Sequence, residues 1–425
     1  AWTPAWTGSG DCANVVPKMN VLSWNLLRRI GQPALVLGLL VLAAAGCSRK
    51  AEEERVPDPD LVNPQPVYTA LASGVEQADV AREQPPLSYH VVRANLDQPG
   101  LELAVLHAAG FDSGRATVGQ MAGKMETPER RVVAAINGDY FGNGMAGPWG
   151  VQAVDGRLIY SPQGRSAFLI GFDGRPLLDR PQAKLAIQIG ADPAWHDVAD
   201  LNRPGRGTEP GLHLYFNTRE VIEAPAPQGA VEIAAETPVI GGTVTGRVVK
   251  IHPVGHAVPL PASGLVLTCG GKEGEAALPA GLVEGAEVRI RTQMTPAARE
   301  AVGGGPRIVR DGKVSLELVE DGISVAERVY LRRPHPRAVV GLAKGGRQLL
   351  MVVVRGRRED SDGLGLADLA DLMVGLGAED AIMFDGGDTA TIFQNGIYAV
   401  QGRAGPRVIS NGLALLGARN PEAAP

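Results

Sequence analysis

Hydrophobic positions in this chain fall mostly into short runs, each closed off by glycine, proline, asparagine or aspartate. Apolar runs of that length between turn residues predict strands. Three come early, LSYHVVRANL at 87–96, LELAVLHA at 101–108 and RVVAAIN at 131–137, with a short helix over Val118 to Met125 between the last two. Asp-Gly pairs at 155–156, 173–174, 311–312 and 321–322 lie between apolar residues and predict hairpin turns. From about 180 to 300 the pattern continues with GTVTGRVVKI, GLVLTCG and AEVRIRT, an inserted or appended β subdomain or more of the same sheet. One helix stands apart: Leu366, Leu369, Ala370, Met373 and Leu376 repeat on one helical face, and Gly377 supplies a stop. AIMF at 381–384 then reads as a buried strand ending at Asp385. The expected fold class is α+β, a β-rich mixed sheet domain with a few helices and a β insert over about 180–300.

The apolar run from Ile30 to Ala45 is of another kind. It follows Arg28 and Arg29, is short for a spanning helix, and has the make-up of a signal peptide. It ends Ala44, Ala45, Gly46, Cys47, which resembles a bacterial lipobox and implies cleavage before Cys47 and lipid attachment to it. An uncleaved anchor is the alternative. Residues 1–18 precede Met19 and are read as lying upstream of the true start. The expected domains are therefore 1–46, an upstream segment plus lipoprotein signal peptide; 47–84, the lipidated cysteine and a flexible tether, charged and proline-rich over 48–66; and 85–420, one large domain with order beginning near Leu87. Ser48 after the cysteine, where aspartate would retain a lipoprotein, points by convention to an outer membrane, facing the periplasm. The membrane is then a partner through Cys47.

Composition narrows the class. The 425 residues are 44% hydrophobic and 20% charged, which fits a globular chain rather than a disordered one. Its 55 glycines and 32 prolines suit many strands joined by tight turns. A net charge of -5 with no long basic run argues against nucleic acid as a partner. Past Cys47 only Cys269 remains, so no internal disulfide is expected, and LVLTCGG reads as a buried structural thiol. There is no His-Glu-x-x-His, no Cys-x-x-Cys, no Gly-x-Ser-x-Gly and no phosphate-binding loop of the Walker kind, and neither a metal nor a cofactor is expected.

Three constellations carry candidate chemistry, each against a plainer reading. Asn137-Gly138-Asp139-Tyr140-Phe141 follows the apolar run VVAAI and leads to Trp149; it is either a turn beside core aromatics or a sugar site with flat rings next to an amide and a carboxylate. Asp385-Gly386-Gly387-Asp388-Thr389 is either one more Asp-Gly turn, of which the chain has six, or two carboxylates that shift each other's pKa. A metal-binding version would add Glu359, Asp360 and Asp362, without calcium-loop spacing. Arg332-Arg333-Pro334-His335-Pro336-Arg337, with Arg357 after LLMVVV, is either a solvated basic loop or an anion-capturing one.

Taken in order, these segments resemble the phosphodiester glycosidase family. The resemblance runs from about Pro85 to Leu416, on NGDYF at 137–141, GGGPRIVRDGK at 303–313, HPRAVVGL at 335–342, GLGLADLADLMVGLGAEDAIMFDGGDTAT at 363–391 and PRVISNGLAL at 406–415. It implies a hydrolase, a glycosidase of carbohydrate metabolism in the cell envelope, cleaving a sugar from a phosphodiester. The positions that match residue by residue are Asn137, Asp139, Arg337, Asp385, Gly386, Gly387 and Asn411. On this resemblance Asp385 is the central carboxylate and Asp139 its partner. Asn137 and Asn411 orient hydroxyls, Arg337 holds the phosphate, and Gly386, Gly387, Asp388 and Thr389 contact the substrate; the residue patterns above add Arg357 as a second phosphate candidate and Tyr140 and Trp149 as substrate contacts. Two departures from the family's pattern stand out, at three positions. Asp388 and Thr389 stand where a third glycine and a serine are usual, and Arg355 stands where an aspartate is usual. These two departures could form a charge pair or mark another leaving group. A non-catalytic glycan-binding lipoprotein and a metal-dependent phosphodiesterase are the rival readings.

Overall fold

The computed structural model describes residues 58–419 apart from 109–110, 112–113 and 143–144. The signal-peptide segment, Cys47 and the start of the tether lie outside the described residues.

Two antiparallel sheets face each other. The larger has eight strands in the order 69–72, 75–82, 87–95, 348–354, 337–343, 380–384, 307–310 and 313–314. The second has five, in the order 397–400, 392–394, 130–137, 411–418 and 102–107. Strand alternation decides which residues meet between them. Val340, Leu342, Met351, Val353, Ile382 and Phe384 of the first sheet pack against Val105, Ile136, Leu413 and Leu415 of the second. The intervening Val339, Leu350, Val352, Ala381 and Met383 face the opposite way, onto Leu366, Leu369, Ala370 and Met373 of the helix Leu366–Gly375. The outer face of the second sheet is covered by the helix Val118–Met125, capped by a reciprocal Thr117–Gln120 box. The domain is thus layered helix, sheet, sheet, helix.

A third sheet of five strands, in the order 176–179, 167–170, 300–303, 152–154 and 157–160, borders this sandwich. Between its strands 176–179 and 300–303 the chain leaves to form a closed barrel of seven strands from Gln182 to Thr295. The barrel has no core of its own. Leu185, Ile187, Leu214, Leu267 and Ile290 form one cluster with Val151, Ala153, Leu169 and Ala301 of the third sheet, and Cys269 is buried in it.

Two expectations are corrected. Order does not begin near Leu87, because strands Thr69–Ala72 and Val75–Arg82 lie within the stretch read as tether. Val75, Ala78 and Val80 are buried there, while Asp79 and Ala81 between them face solvent. The pairs at 155–156, 173–174 and 311–312 do join antiparallel strands. The pair at 321–322 does not: Asp321 is buried, and its carboxylate accepts from Ser166 N and Arg307 N at 2.7 and 2.8 Å and from Arg180 Nε at 2.7 Å. It ties Arg307, at the start of a first-sheet strand, to Ser166, which precedes the third-sheet strand 167–170.

Candidate active site

Asp385 follows the strand Asp380–Phe384 of the first sheet, and Asn137 ends the strand Arg130–Asn137 of the second. Hydrogen bonds sew these two ends together. Asp385 N donates to Gly138 O at 2.9 Å, Asn137 Nδ2 donates to Asp385 O at 2.7 Å, and Asn137 Oδ1 accepts from Thr391 N at 2.9 Å. Asn411, on the neighbouring strand, accepts at Oδ1 from Asp139 N at 2.9 Å and donates to Gln152 Oε1 at 3.0 Å. Both asparagine side chains are buried with both ends of the amide engaged. They position backbone, and neither is placed to orient a substrate hydroxyl.

The sewn loops leave a cavity of about 210 Å³ lined by Tyr140, Trp149, Arg165, Arg337, Asp385 and Gly386, among others. Asp385 is half-buried in its wall. Burial, and then the nearby Asp139 carboxylate, push its pKa up to about 7, against the Thr389 hydroxyl, which donates to Oδ2 at 2.9 Å or to Gly386 O at 2.7 Å. Thr389 therefore supplies a hydroxyl to the Asp385 carboxylate. Gly386 has no room for a side chain, since a Cβ would stand 2.8 Å from Pro336 O.

Asp139 is fully buried and does not line the cavity. Its carboxylate accepts from Tyr140 N at 2.8 Å and Gly150 N at 2.5 Å, folding the aromatic loop back on itself. Burial raises its pKa to about 6, opposed by Arg165, the Gly150 amide and Arg203. Its influence on Asp385 is electrostatic.

Arg337 is the largest fully buried side chain of the domain. Its Nε donates to Leu364 O at 2.9 Å, and Nη2 to Leu331 O and Arg333 O at 2.9 and 3.0 Å. Among the described residues no ion pair joins it to a carboxylate, and burial lowers its pKa. Among the described residues Nη1 has the soft Met383 sulfur, at 3.8 Å, as its partner, and both residues line the cavity. A buried guanidinium with no carboxylate partner gives the cavity wall beside it a positive potential. The sequence reading missed Arg165, whose guanidinium stands 5.2 and 5.4 Å from the Tyr140 and Trp149 ring centres. The two rings lie 5.9 Å apart, and Trp149 Nε1 is buried with no hydrogen-bond partner.

The other candidates fall to the rim or beyond. Arg357 is exposed and donates to the Tyr330 hydroxyl at 3.2 Å and approaches His335 Nδ1 at 3.3 Å, while His335 stacks on Tyr330 at 4.2 Å. Gly387 reaches the cavity, whereas Asp388 lines a separate cleft with Arg355, Arg358 and Arg403. The expected Arg355–Asp388 charge pair does not form: Arg355 donates to Asp79 Oδ1 at 2.9 Å, and its backbone is held by Ser88. Glu359, Asp360 and Asp362 form no metal-ligand group, nor do any three His, Cys, Asp or Glu among the described residues.

The comparisons with known proteins come to bear on this geometry. No curated protein matches the chain. Among solved structures, a hypothetical protein from Synechocystis superposes with a TM-score of 0.67 at 19% identity, covering 83% of this chain and 64% of its own, so the chain spans under two thirds of that relative. A Burkholderia pseudomallei K96243 protein gives 0.57 at 18% identity, over 77% of this chain and 74% of its own. The zebrafish N-acetylglucosamine-1-phosphodiester alpha-N-acetylglucosaminidase catalytic domain, auto-inhibited by its pro-peptide, gives 0.43 at 15% identity, over 85% of this chain and 94% of its own. The first two share the fold. The phosphodiester glycosidase family model matches residues 239–416, which hold Arg337, Arg357, Asp385 to Thr389 and Asn411 but not Asn137 to Trp149. Over residues 239–416 the chain is a match to the phosphodiester glycosidase family, as its motifs imply.

Proposed function

We propose that this protein hydrolyses a glycosyl phosphodiester, a sugar whose anomeric oxygen bridges to phosphate. The observation that carries the reading is the pairing, in one cavity, of a carboxyl poised near neutrality with a buried, carboxylate-free arginine. The apolar faces of Tyr140 and Trp149 would take the sugar ring, and Trp149 Nε1 would donate to one of its oxygens. Arg337 Nη1, with Arg165, would hold the bridging phosphate and offset the charge that grows on it as the bond to the anomeric carbon breaks. Water adds its oxygen to that carbon, and the bond's electron pair leaves on the phosphate. The proton of the water passes to Asp385 or, through it, to the departing phosphomonoester. Since phosphate leaves readily, one carboxyl near neutrality suffices. We place the chain in the bacterial cell envelope as a lipoprotein held through Cys47, with an envelope or exported glycan as substrate and the barrel as an inserted accessory element.

The test uses N-acetylglucosamine-1-phosphate diesters in ¹⁸O-water, with and without a chelator, beside Asp385→Asn. Free sugar carrying the label, released by the wild type alone and insensitive to chelation, is the expected result. Label on phosphate, loss of activity on chelation, or an Asp385→Asn variant as fast as wild type would each overturn the reading.

A further inference from the structure

We propose that the short helix Val325–Leu331, which roofs the cavity, presents its outer face to an anionic lipid bilayer. The helix is two-sided. Glu327, Tyr330 and Leu331 line the cavity. Val325 and Val329, one turn apart on the opposite side, are 74% and 51% exposed, and Val319 in the preceding turn is 68% exposed. Three of the domain's large exposed apolar side chains thus cluster within eleven residues over the site. Such clustering marks a contact surface rather than scattered surface valines.

Charge selects the partner. Arg332 continues the exposed face one turn beyond Val329, Arg333 follows it, and Arg328 flanks it with only its Nε engaged, on Ile323 O at 2.9 Å. Among the described residues none of these three arginines joins an ion pair. The neighbouring carboxylates are Glu327, turned inward to cap the helix through Ser324 N at 2.8 Å, and Glu320 in the turn before it. Exposed valines ringed by unpaired arginines match a surface that is apolar beneath and anionic above, the interface of a bilayer rich in acidic headgroups. Seated this way, the surface would hold the cavity's roof at the lipid plane. This contact does not depend on the proposed reaction.

The test is amide hydrogen exchange on the full chain, reconstituted into vesicles of phosphatidylcholine alone or of an equimolar mixture with phosphatidylglycerol. Whatever the segment before residue 58 contributes is the same in every arm. Peptides covering 318–333 should exchange about tenfold more slowly in the anionic vesicles than in the neutral ones. The protection should vanish in Val325→Asp/Val329→Asp, whose fold is checked by unchanged exchange in the buried strands 337–343 and 348–354. Equal exchange in both vesicles overturns the proposal. So does protection that survives in the double variant, or that appears without lipid and grows with protein concentration, since a second copy would then be the occupant. Failure of the hydrolysis reading would show instead in the soluble-substrate assay.

Discussion

Thr389→Val isolates what the Asp385 carboxyl does, because the two side chains are nearly isosteric and only the hydroxyl is lost. In the wild type that hydroxyl donates to Asp385 Oδ2 at 2.9 Å or to Gly386 O at 2.7 Å, and it lowers a carboxyl pKa that still stands at about 7. A hydrogen bond to a charged group is worth about 1.5–3 kcal/mol, and one pKa unit corresponds to about 1.4 kcal/mol. The hydroxyl has one proton for two acceptors, so the loss should fall at the low end, an upward shift of about one unit. The assay is the pH profile of kcat/KM on a soluble sugar phosphodiester. If the ionised carboxylate acts, the acid limb moves up by about one unit; if the neutral carboxyl acts, the alkaline limb moves the same way by the same amount. Thr389→Ser should restore the wild-type limb, which a packing defect would not. A folded Thr389→Val protein in which neither limb moves would refute the assignment of Asp385 as the titrating centre.

Three further outcomes follow from the same contacts. Arg337→Lys replaces a fork that satisfies three carbonyls, two of them buried, so the urea midpoint should fall by the equivalent of about 2–4 kcal/mol, and inhibition by a sugar-free phosphomonoester should weaken; a stable variant still inhibited as strongly as wild type contradicts the anion-site reading. Asp139→Asn must turn an amide N–H toward the Tyr140 or Gly150 amide, costing about 2–3 kcal/mol of stability; lost turnover at unchanged stability would instead make Asp139 a chemical participant. Stability should also rise on acidification, since Asp385 and Glu300 at about 7 and Asp139 at about 6 are raised by burial. Their contribution is fully present below the unfolded value near pH ~4 and lost as pH climbs through 6–7. His107 and His335, lowered by burial, act in the opposite sense below about pH 6.5, whereas Asp79 and Glu317, at about 2, stay charged. A urea midpoint at pH ~5 no higher than at pH ~8 would show that the three carboxyls are not buried as described.

What the sequence disclosed was what local pattern controls. The helix Leu366–Gly375 follows its apolar stripe, the helix Val118–Met125 its capping residues, and the strand ahead of Asp385 its unbroken apolar run. The strand Val75–Arg82 escaped because Glu76, Asp79 and Arg82 break up its apolar residues, so that it looks like tether until Val75 and Val80 are seen to be buried. Asp321 escaped because Asp-Gly spells a hairpin, while only the folded chain shows four donors converging on its carboxylate. Arg165 has no local signature at all; its place over two rings depends on residues 16 and 25 positions earlier. Asn137 and Asn411 were recognisable as site residues, but their hydrogen bonds show that they hold backbone in place.

That last distinction explains why the site lies where it does. A single carboxyl is easily placed at the end of a strand, but holding its pKa near 7 requires burial beside another charge, and that burial lasts only where the surroundings cannot relax to let water in. Here the surroundings belong to three sheets. Asp385 comes from the first, Asn137 clamps its loop and Asn411 that of Asp139 from the second, and Gly303 of the third approaches Asp139 so closely that a Cβ would strike Oδ2. No one sheet can shift to solvate the pair without breaking the hydrogen bonds of another. Arg337 obeys the same logic with opposite charge: three carbonyls fix its guanidinium at the cavity wall through Nε and Nη2, and none of them takes Nη1. In the proposed reaction an anion entering there would meet a donor that is already desolvated and oriented, so little reorganisation would be left to oppose binding or the growth of charge on a leaving phosphate.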